Sequence, residues 1–274
     1  MILTKTIPLL AALDFLNRDK FVVSIEKARY KEIPSKFTKL TAEQIERINK
    51  SARHSDRMPA QEDGISPSCA LPYEFYADGN IGADGSHFEI HLCAGNEVHG
   101  AKSAGAPFNV YLRNIKDSPG QGMISATCAL KPGDSLTRQY PLAIFAGSRY
   151  AIEAHGLNGF YRYFTGHPDS SPLKLRTCYE RRGNTLTGNA LLHLHNVTGK
   201  SIGFEIHDNA YKAEIVTGQI EPGKETSVVL RLEQSHSWYD FSVKANGVDV
   251  ESRFAGRVET GKVSFSDPWM GGIA

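Results

Sequence analysis

Residues 220–256 are a second writing of residues 130–166, and a chain that repeats itself over such a length has to build the same unit twice. Pro132-Gly133 recurs as Pro222-Gly223, ninety residues on, and Phe164-Thr165-Gly166 recurs as Phe254-Ala255-Gly256 at the same interval. Between these anchors Arg149-Tyr150-Ala151-Ile152-Glu153 answers Trp238-Tyr239-Asp240-Phe241-Ser242. Each copy thus holds a Pro-Gly turn, an aromatic-led alternating strand, a Gly or Asn-Gly turn and a returning strand. The interval is domain-sized, well above the ~20–50 residues of solenoid and propeller repeats.

Strand signals extend the copies beyond the repeated block. Phe88, Ile90 and Leu92 alternate with His87, Glu89 and His91; residues 108–112 and 124–130 follow as further strands. In the second copy Leu192 and Leu194 point inward and His193 and His195 outward, then Ile202, Phe204 and Ile206 point inward. In this register Phe204 answers Phe108, so the matching tetrapeptides at 88–91 and 204–207 are a shared strand pattern and not a motif. Short strands with Gly, Pro and Asn turns predict a mainly β chain of two tandem small antiparallel β-sandwich domains, preceded by a short α/β N-terminal segment. The predicted boundaries are 1–57 for that segment, 58–70 for a linker, 71–168 for the first repeat and 169–274 for the second.

The N-terminal segment differs in texture. Residues 11–33 mix a short helical run with the apolar stretch 21–25, and Thr41-Ala42-Glu43-Gln44 is a capping box opening a helix with Ile45 and Ile48 on one edge. So thin an apolar edge buries little on its own, and the segment reads as a strap against something larger. The apolar run at residues 1–15 is broken by Pro8 and Asp14 and reads neither as a signal peptide nor as a membrane span. A net charge of +1 gives no field that calls for nucleic acid.

Candidate chemistry is sparse. His193-x-His195 is the one metal-like spacing, and with Glu205 and His207 on the next strand a His/His/carboxylate site can be drawn, although the apolar phase puts both histidines on the solvent face. Ser235-His236-Ser237 reads as a polar turn, with no third group to orient a nucleophile. Trp238, Tyr239, Tyr161 and Tyr163 are candidates for a patch facing sugar or lipid headgroups, against the plainer reading that strand-leading aromatics are core. Asn196-Val197-Thr198 matches a glycosylation acceptor. Cys69, Cys93, Cys128 and Cys178 are scattered, without C-x-x-C, and read as buried free thiols, with disulfides open if the protein is exported. No catalytic, cofactor-binding or metal-binding residue is assigned, and no cofactor is expected.

An ordered set of motifs carries a resemblance. Phe37-x-Lys39-Leu40, Met58-Pro59-x-Gln61-Glu62, Ala70-Leu71-Pro72-Tyr73-Glu74, Trp238-Tyr239-Asp240-Phe241 and residues 254–261 (FAGRVETG) together resemble the C-terminal portion of the bacterial phosphocholine-preferring phospholipases C. In that family a larger N-terminal domain of the alkaline-phosphatase-like superfamily hydrolyses phosphatidylcholine or sphingomyelin, and none of its metal-ligand or nucleophile motifs lies in these residues. The resemblance therefore implies a fragment: the non-catalytic, duplicated C-terminal region with the end of the catalytic domain at residues 1–60. It implies the phospholipase C catalytic domain as partner, with phospholipid or a membrane surface as a further one, and a periplasmic or secreted location. The rival reading is a free-standing carbohydrate or cell-surface binding module, and a metal-dependent enzyme built on His193 and His195 is a third.

Overall fold

The computed structural model describes residues 39–51, 55, 64–116, 122–168 and 171–269. The readings made on residues 1–38, on 56–63 and on the tail beyond 269 lie outside these residues. The chain divides into two units, Met1–Met58 and Pro59–Ala274.

In the first unit, helix α1 (Ala42–Lys50) starts where its sequence says it should. The Thr41 hydroxyl accepts from Gln44 N at 3.2 Å and Thr41 N donates to Gln44 Oε1 at 2.9 Å, so two otherwise orphaned N–H groups are satisfied reciprocally. Glu43 lies in its first turn and Arg47 and Lys50 in its last, each sign matched to the helix dipole.

The second unit is built from antiparallel strands. After the two-residue strand β1 (Pro67–Ser68), inside the stretch expected to be linker, the first copy runs β2 (Phe75–Ile81), β3 (His87–Ala94), β4 (Ala106–Arg113), β5 (Ile124–Leu130), β6 (Ser135–Pro141), β7 (Tyr150–His155) and β8 (Tyr161–Gly166). The second runs β9 (Leu173–Arg182), β10 (Thr185–Asn196), β11 (Ile202–Asp208), β12 (Val216–Ile220), β13 (Glu225–Leu230), β14 (Trp238–Ala245) and β15 (Glu251–Arg257), and β16 (Ser264–Phe265) returns to pair with β1. Strand for strand the connectivity repeats. The three-stranded sheet β2-β3-β6 has its counterpart in β9-β10-β13, and β5-β4-β7-β8 in β12-β11-β14-β15, a three-on-four Greek-key sandwich each time.

The Pro-Gly anchors do the same work in both copies. Asp134 N bonds Lys131 O and Lys224 N bonds Glu221 O, both at 3.0 Å, with Gly133 and Gly223 at φ +85° and +65°. Proline sets the first central angle of such a turn and only glycine takes the second without strain. The predicted alternation also holds: Phe88, Ile90 and Leu92 are buried, as are Leu192 and Leu194, while His193 and His195 face out. Phe108 and Phe204 occupy equivalent buried places on β4 and β11.

Where the copies meet, the last strand of one pairs with the last strand of the other. Tyr161↔Ala255 through Thr165↔Glu251 form an antiparallel ladder, so the two four-stranded sheets become one of eight, and two exposed edges are removed. In the other layer β2 and β9 are joined by side chains. The Asp78 carboxylate accepts from Thr177 N at 2.9 Å and Asn80 Oδ1 from Leu175 N at 3.3 Å. The aromatic core is continuous as well: Phe88 packs on Phe164, Phe164 on Phe254 (centroids 5.9 Å, edge-on) and Phe254 on Phe241 (5.2 Å, stacked).

Candidate functional site

The residues singled out from sequence do not converge. His193 and His195 lie on the outer face of the three-stranded sheet, where His193 sits between Ser227 Oγ (2.8 Å) and Cys178 Sγ (3.5 Å) and His195 lies 3.7 Å from Glu225. Glu205 and His207 pair with each other at 2.8 Å on β11, which belongs to the other sheet. A His/His/carboxylate set spanning β10 and β11 is therefore divided between opposite outer faces of a sandwich, because consecutive strands here cross between sheets instead of forming a hairpin. Among the described residues no three His, Cys, Asp or Glu side chains are grouped to hold a metal ion.

Ser235-His236-Ser237 is the polar turn its sequence suggests. The Ser235 hydroxyl donates toward Leu232 O and Trp238 O, and His236 and Ser237 both take left-handed backbone angles, with His236 against the Phe265 ring. The Asn196 amide is buried and fully used: it donates to Lys200 O (2.7 Å) and Ile220 O (2.9 Å) and accepts from Thr198 N and Oγ1. In the folded chain this asparagine fixes a turn and is closed to glycosylation. Of the cysteines, all four free, Cys128 alone is buried; Cys93 and Cys178 are half-buried and Cys69 is exposed, which corrects the expectation of four buried thiols. Burial pushes the Cys93 and Cys178 thiols above their ordinary pKa, so neither is primed as a nucleophile.

The aromatic candidates separate. Trp238 and Tyr239 are core: Trp238 Nε1 donates to Phe265 O at 3.1 Å, and the Tyr239 hydroxyl accepts from Arg162 at 2.9 Å. Tyr161 and Tyr163 instead stand half-exposed on the outer face of the eight-stranded sheet. There Tyr161 belongs to a strip that crosses both copies. The Tyr111 and His155 rings meet edge-on at 5.3 Å, His155 meets Tyr161 at 4.9 Å, and the Arg253 guanidinium lies 5.8 Å from the Tyr161 ring centre. Arg253 is held by Asp240 in a two-pronged pair at 2.7 and 2.5 Å. Burial pushes the Tyr161 hydroxyl up to about 12. Burial also opposes the charge on Glu153, but hydrogen bonds from Arg113 and His155 outweigh it and hold that carboxyl below the usual range. The strip is a fixed arrangement of aromatic faces and paired charges, suited to contact and holding no free nucleophile and base in register.

Sequence reasoning passed over the buried charges. Arg162 is 1% exposed, pointing inward from β8. Its guanidinium donates to Tyr161 O (2.8 Å), Ala255 O (2.9 Å) and the Tyr239 hydroxyl, over the Phe160 ring at 4.1 Å, so it ties the first copy to the second. Glu74, also buried, accepts from Tyr76 Oη and from the N–H groups of Glu97 and Val98. Arg257 and Glu259 form a buried pair at 3.3 Å; burial raises the Glu259 pKa against the pull of Arg257. The phase of the strand was the available signal: in Tyr161-Arg162-Tyr163-Phe164 the arginine shares its face with Phe164.

Comparison with known proteins follows the same division into copies. The family described as "Bacterial phospholipase C, C-terminal domain" matches the chain twice, over residues 67–167 and 173–257. The chain belongs to this family. Its two matches meet in the short connection between β8 and β9, so each match spans one sandwich of this phospholipase C C-terminal region. Among full-length relatives, a non-hemolytic phospholipase C of Pseudomonas aeruginosa is 34% identical over 224 residues, covering 78% of this chain and 30% of that protein. A hemolytic phospholipase C of the same organism is 31% identical over 232 residues with the same coverages. A non-hemolytic phospholipase C of Burkholderia pseudomallei is 32% identical over 215 residues, covering 77% and 29%. The chain spans about 30% of the length of these relatives. No helix among the described residues is long and apolar enough to cross a membrane.

Proposed function

We propose that this chain is the non-catalytic C-terminal portion of a phosphocholine-type phospholipase C, a phosphoric diester hydrolase, and that it supports the catalytic domain or helps bring it to lipid or a partner. The observation that carries the reading is the double match to the C-terminal-domain family by a chain that spans about 30% of its phospholipase C relatives. The geometry is in keeping with it. The buried Arg162 and Glu74 are spent on joining strands and loops, Arg257 and Glu259 pair with each other, and the outer aromatic strip is built for contact. On this reading residues 71–168 and 169–274 are the two accessory units, and the protein is exported with its enzyme.

The test is hydrolysis of a phosphocholine ester by the chain alone and after mixing with a separately produced catalytic domain from a relative. The expected result is silence alone and a gain on mixing. Activity of the chain alone, persisting through repurification, overturns the non-catalytic role. Silence in both moves weight to the second reading, a carbohydrate or cell-surface binding module. The Tyr111, His155 and Tyr161 strip favours that reading, because aromatic faces suit sugar rings, and saccharide binding lost in a Tyr161→Ala variant is its signature.

A further inference from the structure

The two sandwiches are closed differently at the end where β6 passes to β7 and β13 to β14. In the first copy the connection begins Leu142-Ala143-Ile144-Phe145, and Phe145 is fully buried between the sheets. This plug is tied to the neighbouring loop by Lys116 N to Ile144 O (2.9 Å) and Ala146 N to Asn114 O. The second copy reads Leu232-Glu233-Gln234-Ser235 at the same places. Ser235 aligns with Phe145 and carries no ring. A cavity of about 650 Å³, lined by residues of both sheets, opens at this end.

The cavity has an apolar floor and a charged mouth. Ile206, Leu232 and Phe241 are buried in its floor, with Val216 and Leu230 half-buried beside them. Lys212, Glu214, Arg231 and Glu233 are exposed at the mouth, two cations and two carboxylates. The other two acids there are engaged already: Asp240 by Arg253, and Asp208 by the N–H groups of Ala210, Tyr211 and Ala213, which fix the β11–β12 loop. Polar atoms deeper in are satisfied too, Ser235 by two backbone carbonyls and Tyr239 by Arg162, and none of the unpartnered buried polar atoms among the described residues lines this cavity. An occupant that brought amide groups inside would leave them unpaired, at a cost of about 1–3 kcal/mol each. A saturated hydrocarbon chain brings none, and the volume is that of a small-molecule site and not of a single side chain.

We infer that the open end of the second sandwich binds the alkyl chain of a zwitterionic lipid, with the headgroup's anionic part on Lys212 and Arg231 and its cationic part on Glu214 and Glu233. This deepens the lipid-binding side of the proposed function, and the binding test needs no catalytic domain, so its failure is read separately from failure of the mixing assay. The probe is n-dodecylphosphocholine below its micellar concentration, titrated into the full chain with labelled Ile, Leu and Val methyl groups. Expected are saturable shifts at Ile206, Val216, Leu230 and Leu232, an affinity that rises about fourfold per added methylene from the octyl to the dodecyl compound, and no binding by phosphocholine without a chain. Val216→Trp, whose half-buried side chain lies beside Ile206 in the cavity wall, and Ser235→Phe, which copies the first sandwich, each weaken binding at least tenfold. The inference is overturned by affinity independent of chain length, by shifts away from these methyls, by unchanged binding in Val216→Trp, or by saturation with an apolar tetrapeptide where the alkyl compound fails.

Discussion

The first sandwich and the second are the same fold with different ends and different halves of one seam. At the end, Phe145 fills the first and Ser235 leaves the second open. At the seam, β8 supplies the buried Arg162, whereas Ser252, ninety residues on, holds the same inward place on β15. The difference teaches where duplication leaves freedom. Turns and alternating strands are demanded of any copy, so they are retained; a plug or a cross-seam cation is needed once, so the second copy is released to do something else.

The largest effect expected from breaking this contrast is at the seam. Arg162→Ala removes donors to two carbonyls and a hydroxyl in a buried site and should cost on the order of 4 kcal/mol in urea unfolding. Ser252→Ala should cost under about 1 kcal/mol. Equal costs would mean that the seam is not held by the arginine. At the sandwich ends, Phe145→Ala should cost about 3 kcal/mol, toward the low side for a buried ring because its loop can settle. Leu142 and Leu232, equivalent in both copies, should by contrast lose similar amounts when truncated to Ala, read from the same denaturation curves.

Asp208→Ala releases three N–H groups and should cost about 2 kcal/mol. It should also raise hydrogen exchange at Ala210, Tyr211 and Ala213, with no change in the first copy. A smaller effect is expected at Asp78, whose pKa burial raises despite the bond from Thr177 N and the field of Arg162. A raised folded value means that the native state favours the protonated acid. Its stabilising contribution is complete below the unfolded pKa of about 3.9 and is lost as pH rises through the folded value. The Asp78→Asn variant should therefore gain on the parent as pH climbs from about 4 upward, and a difference that shrinks instead would reverse the assignment. Smallest of all is His193→Ala, expected within about 0.5 kcal/mol and without effect on metal content, since the imidazole bonds Ser227 and Cys178 on an outer face.

Much of this was legible. The repeat, its Pro-Gly turns, the inward phase of Phe88, Phe108, Leu192 and Phe204, and the Thr41 capping box are local facts, and local chemistry sets them. Strand β9 was not legible, because Lys174, Arg176, Glu180, Arg181 and Arg182 make it look like a polar loop; it is a strand because it pairs along its length with β10, while Asp78 and Asn80, 95 to 99 residues away in sequence, offer acceptors to its other edge. The candidate site was legible only in part. Tyr161 was picked out, but its neighbours Tyr111, His155 and Arg253 come from three other strands.

The sequence by itself determined that the chain builds one β unit twice, since a turn that needs proline and then glycine, followed by strict alternation, has few other solutions. Only the tertiary structure decided that the two units share one eight-stranded sheet, that Arg162 is buried at their seam, and that one end of the pair stays open. Those outcomes rest on which edges meet and on how side chains from both sheets fill the ends, and neither edge pairing nor filled volume is written at any single position of the chain.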